Sequence, residues 1–225
     1  MACSTRMSIP GIRSNLGLCI AGLGETWEML NVAIKPYPAC HFNHAFADAA
    51  LELRRNHVFA LEDIVGITAR IGAGQTHVVC EPEANKRRPQ NAYDAQFSVH
   101  YTIATALVRG RFTLTELEEE ALNDPRTLAL TPLIGYEVDP QSAFPRYYSG
   151  EVVLRLADGR ELRHREAHNR GSDARPLSEG EIVAKFMGNA MRRMSAARAQ
   201  RVVDSVLCLD SADSLDAVLE AVQLN

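Results

Sequence analysis

The chain has 225 residues, of which 46% are hydrophobic and 23% are charged, enough for one large or two small globular domains. Its net charge of −4 gives no electrostatic reason to expect a nucleic acid or an anionic membrane surface as a partner. No apolar run approaches the roughly 18–20 residues that a membrane-spanning helix needs. The five cysteines are odd in number and widely spaced, which favours reduced thiols in a cytoplasmic protein over a disulfide framework.

The first 34 residues show little regular pattern. Pro10, Gly11 and Gly17 interrupt any periodicity, and only the stretch Glu25–Ile34 spaces its apolar residues as a helix does. We therefore predict that residues 1–34 form an irregular N-terminal segment that ends in one short helix.

The stretch Lys35–Arg55 joins a stiff loop to an amphipathic helix. Pro36 and Pro38 favour extended backbone at the residues that precede them. The helix is predicted to begin near Asn43, which is a good N-cap residue, and to continue with apolar side chains at helical spacing. His44 then lies in the first turn, where free main-chain N–H groups and the helix dipole favour an anion. A carboxylate is therefore a physically sensible ligand here.

The middle of the chain predicts two strands and three helices. Alternating apolar residues indicate strands over Ala60–Ile71 and Gln75–Cys80, with a glycine-rich turn between them. The polar run Glu81–Asn91 is predicted to be a solvated loop. Apolar spacing, caps and a helix-starting proline then predict helices over Tyr93–Arg109, over Thr113–Leu122 and from Asp124-Pro125 to about Thr131.

Three strands and three helices complete the predicted elements. The strands are Ile134–Val138, Val152–Leu156 and Glu161–His164, the last two joined by a tight Asp-Gly turn. After a polar loop over Glu166–Pro176, the predicted helices are Glu181–Met194, Ala196–Cys208 and Ser214–Gln223. Strands clustered around central helices indicate an α+β fold rather than a doubly wound sheet. The C-terminal helices carry apolar stripes that need a partner surface.

Two residues of the stiff loop and its helix are candidate catalytic groups. His44 could act as a general acid or base, because an imidazole takes either role near neutral pH. The alternative is a histidine that only caps or packs the helix start. Lys35 could hold a substrate carboxylate or stabilise developing negative charge. The alternative for Lys35 is an ordinary surface lysine, although a loop with two prolines is a costly way to display one.

Three further residues are candidate substrate-binding groups. Lys86 is one of three adjacent cations and could face a substrate, although such runs usually form solvated loops. Tyr101 could orient a substrate, and a packed aromatic ring is the alternative. Cys40 lies beside the candidate catalytic pair, but a buried thiol is favoured over a nucleophile. We predict no metal site, since His41 and His44 lack a nearby acidic ligand.

Several motifs occur in a fixed order between about residues 22 and 190. They are Leu23–Glu28, the Lys35–Pro38 loop followed by Cys40 and His44, Lys86 and Pro89, Ala95–Ser98 followed by Tyr101, Phe112-Thr113, Asp124–Arg126, the Ala157–Arg160 turn, and Pro176–Ser178 ahead of Ala184–Phe186. Together these motifs resemble the MmgE/PrpD family. The resemblance covers only the C-terminal half of that family's chains, and residues 1–21 do not share it.

The resemblance implies a fold and an activity. It implies a small lid-like α+β domain, residues 35–176, followed by helices, residues 177–225, that pack on a helical domain. Members of the family include 2-methylcitrate dehydratase, cis-aconitate decarboxylase and iminodisuccinate epimerase, which need no cofactor. The resemblance therefore implies a lyase for a small polycarboxylate, most simply a hydro-lyase. In it His44 transfers a proton, Lys35 binds a carboxylate and Tyr101 helps to position the substrate.

The chain also departs from the family pattern. His100 stands where the family usually has proline and Gln96 where it often has lysine, which puts the fine substrate specificity in question. The chain has no counterpart of the family's N-terminal helical half, where other catalytic residues lie. A second hypothesis is therefore a truncated, inactive domain or a half-subunit that pairs with a separate helical polypeptide. We expect a homodimer or that association, with no nucleic acid or membrane partner.

Overall fold

The computed structural model describes residues 17, 20–27, 29 and 32–223 of the chain. The chain divides into two units, Met1–Val32 and Ala33–Asn225. The described residues of the first unit form hydrogen-bonded turns, for example from Ala21 N to Gly17 O at 3.1 Å. All the described α-helices and β-strands belong to the second unit.

A four-stranded mixed sheet forms the centre of the second unit. Its strands are β1 (Ile64–Ile71), β2 (Ile134–Val138), β3 (Gly150–Leu156) and β4 (Glu161–Glu166), in the spatial order β2-β1-β3-β4. β1 runs parallel to β2 and antiparallel to β3, while β4 pairs antiparallel with β3. A mixed sheet with helices before, between and after its strands confirms the predicted α+β class.

Ten α-helices are described in the second unit. Their bounds are α1 His44–Asn56, α2 Thr76–Val79, α3 Glu83–Arg87, α4 Ala92–Gln96, α5 Val99–Arg109, α6 Glu119–Leu122, α7 Pro125–Leu130, α8 Glu179–Ala190, α9 Ala196–Leu207 and α10 Asp216–Val222. Short 3-10 turns connect several of them, including His41–Asn43 immediately before α1 and Leu114–Leu117 between α5 and α6.

The main core lies where α1 packs on the sheet. α1 contacts α5, β3 and β4, and it buries Phe46, Ala49, Ala50 and Leu53 completely or almost completely. The small alanines let the helix come close to its neighbours. Close approach is also required on the strand side, because a Cβ atom added at Gly150 would lie 2.8 Å from Cζ of Phe46.

A second core cluster lies beneath the loop that precedes α1. It contains Tyr37, Ala47, Tyr101, Phe112 and Leu117 among its buried residues. The loop is therefore anchored by its tyrosine against α1 and α5, in agreement with the stiffness that its two prolines predict.

Four predictions of secondary structure are wrong. The predicted helix Thr113–Leu122 consists of a 3-10 turn, Leu114–Leu117, an extended Glu118 and the short helix α6. The segment Gln75–Cys80 is helical rather than extended: α2 follows a 3-10 turn that Gln75 closes by accepting a hydrogen bond from Gly72 N. The predicted loop Glu81–Asn91 contains α3. The predicted helix Tyr93–Arg109 is two helices, because Ser98 caps α5 by accepting a hydrogen bond from Tyr101 N at 2.9 Å.

Asn43 occupies the predicted N-cap position of α1 without acting as a side-chain cap. Its backbone is already helical and its side chain makes no capping hydrogen bond. Instead, the Asn43 amide donates to the carbonyl of Gln96 at 3.1 Å, which ties the start of α1 to the end of α4. The Asn43 side chain thus makes a tertiary hydrogen bond instead of the helix cap that its local propensity favours.

The other predicted elements agree with the structure to within a few residues. β2 has the predicted bounds, the Asp-Gly turn joins β3 to β4, and the three C-terminal helices are present. Gly159 in that turn has φ +87°, as the turn type requires. The predicted helix Glu25–Ile34 lies partly outside the described residues, and Trp27 and residues 32–34 are not helical.

The close packing of α1 on β3 gives a stability prediction. Replacing Gly150 by alanine forces a Cβ atom against Phe46 and Ala45, and we expect a loss of about 1–3 kcal/mol in the free energy of unfolding. Urea unfolding measures it. The control is Gly135→Ala in β2, where an added Cβ meets nothing within 4 Å. Equal stability of the two variants would contradict the packing described here.

Candidate functional site

The candidate catalytic pair meets at one main-chain carbonyl. Nζ of Lys35 donates to Ala39 O at 3.2 Å, and Nε2 of His44 lies 3.3 Å from the same oxygen. Because a carbonyl oxygen only accepts, Nε2 of His44 carries the ring proton. Nδ1 of His44 is then the basic nitrogen, and it is buried with no hydrogen-bond partner among the described residues.

His44 is held in its neutral form. Its side chain has no exposed surface, and burial, followed by the charges of His41, Lys35 and Arg170, lowers the pKa of His44 to about 3. The hydrogen bond with Ala39 O opposes this shift only in part. A neutral imidazole with a free nitrogen can accept a proton, which is what a general base must do.

A second imidazole lies against the first. The His41 ring centre is 4.7 Å from that of His44 and 5.2 Å from that of Tyr148. His41 is only half buried, and burial and Lys35 lower its pKa. The oxygen of the Asn169 amide accepts from Tyr148 N at 3.0 Å, so the amide nitrogen faces His41, with Nδ2 3.5 Å from Nε2.

Arg170 is the residue that connects this site to the rest of the domain. Its guanidinium contacts the Tyr37 hydroxyl at 2.8 Å, the Asp48 carboxylate at 3.1 Å and the Glu181 carboxylate at 2.6 Å. The Tyr37 hydroxyl in turn donates to Asp48 at 2.5 Å. One side chain therefore joins the loop before α1, the body of α1, and the first turn of α8.

The charges around Arg170 are fixed by their mutual contacts. Burial and the Asp48 carboxylate raise the pKa of the Tyr37 hydroxyl, which therefore stays protonated and can donate. Burial opposes the charge on Arg170, but Tyr37, Asp48 and Glu181 outweigh it and raise the pKa of the guanidinium. Glu181 stays ionised because the Ser178 N–H and hydroxyl, and then Arg170, lower its pKa to about 2.

The segment around Arg170 is held close to the loop by a glycine. Gly171 has φ +85°, and its carbonyl accepts from Ile34 N at 3.0 Å. A Cβ atom at Gly171 would lie 1.9 Å from Ile34 O, so no other residue fits without moving the backbone.

Sequence reasoning missed Arg170 and Asn169. Both fall in the run Glu166–Pro176, which was predicted only as a polar loop, and the contacts of Asn169 with His41 and of Arg170 with Tyr37 span more than a hundred residues. No spacing rule connects such positions. The available clue was the composition of this run, which carries more hydrogen-bonding side chains than a simple connecting loop needs.

The three candidate substrate-binding residues lie in different surroundings. Cys40 is half buried beside the catalytic pair, and burial raises the pKa of its thiol, which Lys35 and Lys86 lower in part. Nζ of Lys86 is buried and donates to Val78 O at 2.9 Å. The Tyr101 hydroxyl is fully buried and donates to Glu116 O at 2.6 Å. The structure thus brings Lys35, Cys40 and His44 together and gives the polar atoms of Lys86 and Tyr101 to main-chain carbonyls.

The part of the chain that the structure describes contains neither a metal-binding cluster nor a membrane-spanning helix. Within it, no three histidine, cysteine or acidic side chains come together as a possible metal-binding group. Across the same residues, no helix combines the length and the apolarity that crossing a bilayer demands.

Comparison with known proteins identifies the family. The family described as the MmgE/PrpD C-terminal domain matches residues 37–211, which is most of the chain. The chain belongs to this family. The matched range of this MmgE/PrpD domain includes His44, Asp48 and Arg170, and it begins at Tyr37, two residues after Lys35.

Curated relatives are similar in sequence to most of this chain. The MmgE/PrpD domain is 26% identical to cis-aconitate decarboxylase of Mus musculus over 87% of this chain and 38% of that protein. It is 29% identical to 2-methylcitrate dehydratase of Cupriavidus necator over 89% of this chain and 42% of that protein. The chain therefore spans less than half the length of these relatives.

The Arg170 contacts predict a large effect on stability. Arg170→Met leaves Asp48 without its cation and Tyr37 without one hydrogen bond, and we expect a loss of about 2–3 kcal/mol in the free energy of unfolding. The expected loss is below that of a fully buried ion pair, because 24% of the Arg170 side chain is exposed. Urea unfolding provides the measurement.

The control for this variant is Arg163→Met. Arg163 pairs with Glu161 at the surface of β4, and such pairs contribute about 0–1 kcal/mol. If the two variants lose the same stability, the connecting role of Arg170 is refuted.

Proposed function

We propose that this MmgE/PrpD domain serves a cofactor-independent lyase that acts on a small polycarboxylate. The simplest reaction is dehydration of a 2-methylcitrate-like hydroxy-tricarboxylate, with decarboxylation or epimerisation of a related compound as alternatives. The relatives named as 2-methylcitrate dehydratase and cis-aconitate decarboxylase support this class of reaction and substrate. The observation that carries the proposal is the convergence of Lys35 and His44 on Ala39 O, with Nδ1 of His44 left free.

The roles of the two residues follow from their charges. Dehydration removes a proton from the carbon beside a carboxylate and expels the hydroxyl group as water. Nδ1 of neutral His44 accepts the proton, and the Lys35 ammonium binds the carboxylate on which negative charge develops. A bound carboxylate near His44 raises the pKa of the imidazole towards neutrality, so that it can return the proton to a leaving group.

Neighbouring residues support this chemistry. His41 is half buried and lies against His44, so it offers a route by which protons pass between the buried ring and solvent. Cys40 contributes a neutral thiol to the wall of the site. Tyr101 and Lys86 stay predictions as substrate-binding residues, since contact with a ligand requires their present hydrogen bonds to change.

The proposal is tested by measuring turnover of 2-methylcitrate through the ultraviolet absorbance of the new carbon–carbon double bond. We expect His44→Gln to lower kcat by at least about 100-fold, because a general base contributes roughly that factor. The matched control is His77→Gln at an exposed histidine, for which we expect wild-type turnover. A fully active His44→Gln variant with an intact fold would sink the proposed mechanism.

A second candidate function is a half-subunit, or an inactive domain, that needs a separate helical polypeptide. It is favoured by the short coverage of the relatives and by exposed apolar side chains on α8 to α10, among them Ile182, Leu207 and Leu219. The same turnover assay separates the two. A half-subunit is inactive alone and becomes active with the helical polypeptide, whereas full activity of the isolated chain excludes this candidate.

A further inference from the structure

A cleft of about 520 Å³ lies beside the loop that carries Lys35. Its walls are the loop Lys35–Pro38, the segment Arg111–Thr115, one face of α8 from Ala184 to Asn189, and Arg192 just after that helix. We name it the basic cleft. Its volume falls in the range of cavities that hold small ligands. Nothing in the assignment of His44 as a proton acceptor accounts for it.

The charges that line the basic cleft are all positive. Lys35, Arg111, Lys185 and Arg192 line it, and no aspartate or glutamate does. Two of these cations already have carboxylate partners outside the lining, since Arg111 pairs with Glu116 and Arg192 with Glu118.

The two lysines of the cleft are not neutralised. Among the described residues, Lys35 and Lys185 form no ion pair, and their ammonium groups donate only to main-chain carbonyls, those of Ala39 and Lys35. Each ammonium has three donors, so both keep hydrogen-bonding capacity for a ligand. The cleft therefore presents two uncompensated positive charges, which attract a multiply charged anion.

The shape of the cleft distinguishes one kind of anion from another. Nζ of Lys185 lies 2.7 Å from Lys35 O, so α8 and the loop stand side by side. Pro36, Tyr37 and Phe112 add apolar surface to the lining, which suits a carbon skeleton. The cations of the cleft come from three separate segments of the chain. An elongated molecule with several negative charges can contact all three segments, whereas a single compact phosphate cannot.

We infer that the basic cleft binds a small di- or tricarboxylate and that Lys185 of α8 is one of the residues that bind its carboxylates. This inference rests on the proposed function for the class of ligand, and Lys35 is common to both. It adds α8 to the ligand-binding surface. The helix and the loop are 150 residues apart in the sequence, and the lysine hydrogen bond joins them.

Binding is measured without turnover, by titration calorimetry of the full chain with citrate in a buffer of low ionic strength, where screening is weak. We expect citrate to bind, and Lys185→Gln to weaken binding about tenfold or more through loss of one charged hydrogen bond. Arg193→Gln is the matched control. It removes the same charge from a neighbouring exposed position that does not line the cleft, and it should leave the affinity unchanged.

A second pair of variants guards against an indirect effect of Lys185 on the fold. Gly188→Asp places a carboxylate in the cleft, and Gly180→Asp makes the same change on the same helix away from it. A Cβ atom at either glycine meets nothing within 4 Å, so neither change causes a clash. We expect Gly188→Asp to abolish citrate binding and Gly180→Asp to preserve it.

The outcomes separate this inference from the proposed function. It is overturned if wild-type protein does not bind citrate, if each variant and its control lose affinity equally, or if inorganic phosphate binds as tightly as citrate. Loss of turnover in His44→Gln with citrate affinity unchanged supports both proposals. Citrate binding with no lyase activity, either alone or together with the helical polypeptide, keeps the basic cleft and removes the catalytic assignment.

Discussion

The Arg170 guanidinium contacts the loop before α1, α1 itself and the first turn of α8, and the arrangement of the candidate site depends on it. It binds the Tyr37 hydroxyl, the Asp48 carboxylate and the Glu181 carboxylate. Asp48 is almost completely buried, and a buried carboxylate without a cation is strongly destabilising. The need to neutralise Asp48 therefore fixes the loop, α1 and α8 in one relative position.

The electrostatics of the catalytic pair follow from that framework. With the loop held against α1, Ala39 O lies between Nζ of Lys35 and Nε2 of His44. Burial, His41, Lys35 and Arg170 all disfavour a charge on His44, so the imidazole is neutral and its second nitrogen is free. The same loop turns Lys35 towards the basic cleft, where Lys185 of α8 supplies a second cation. In the two proposals, the loop therefore lies beside the proton-accepting His44 and carries Lys35 for anion binding.

Local patterns in the sequence predicted more of the fold than of the site. The alternation in β2, the Asp-Gly turn and the apolar stripes of the C-terminal helices are local signals, and each element is present. At Gln75–Cys80 a local hydrogen bond from Gly72 N to Gln75 closes a 3-10 turn where a strand was predicted, and at Asn43 a tertiary contact with Gln96 O takes the side chain that would otherwise cap α1. Lys35 and His44 were found because prolines and a helix start mark them. Arg170 could not be found, since its partners Tyr37 and Asp48 lie more than a hundred residues away, a separation that no local pattern encodes.

The central claim is that the folded domain holds His44 neutral with its proton on Nε2. Nitrogen-15 NMR of the histidine rings, recorded from pH 7 to pH 5, tests it most directly because ring shifts report both protonation and tautomer. The account predicts that the His44 ring keeps the neutral, Nε2-protonated form throughout, since its pKa is about 3. Protonation of His44 near the ordinary histidine value of about 6.5, or a proton on Nδ1, would contradict it.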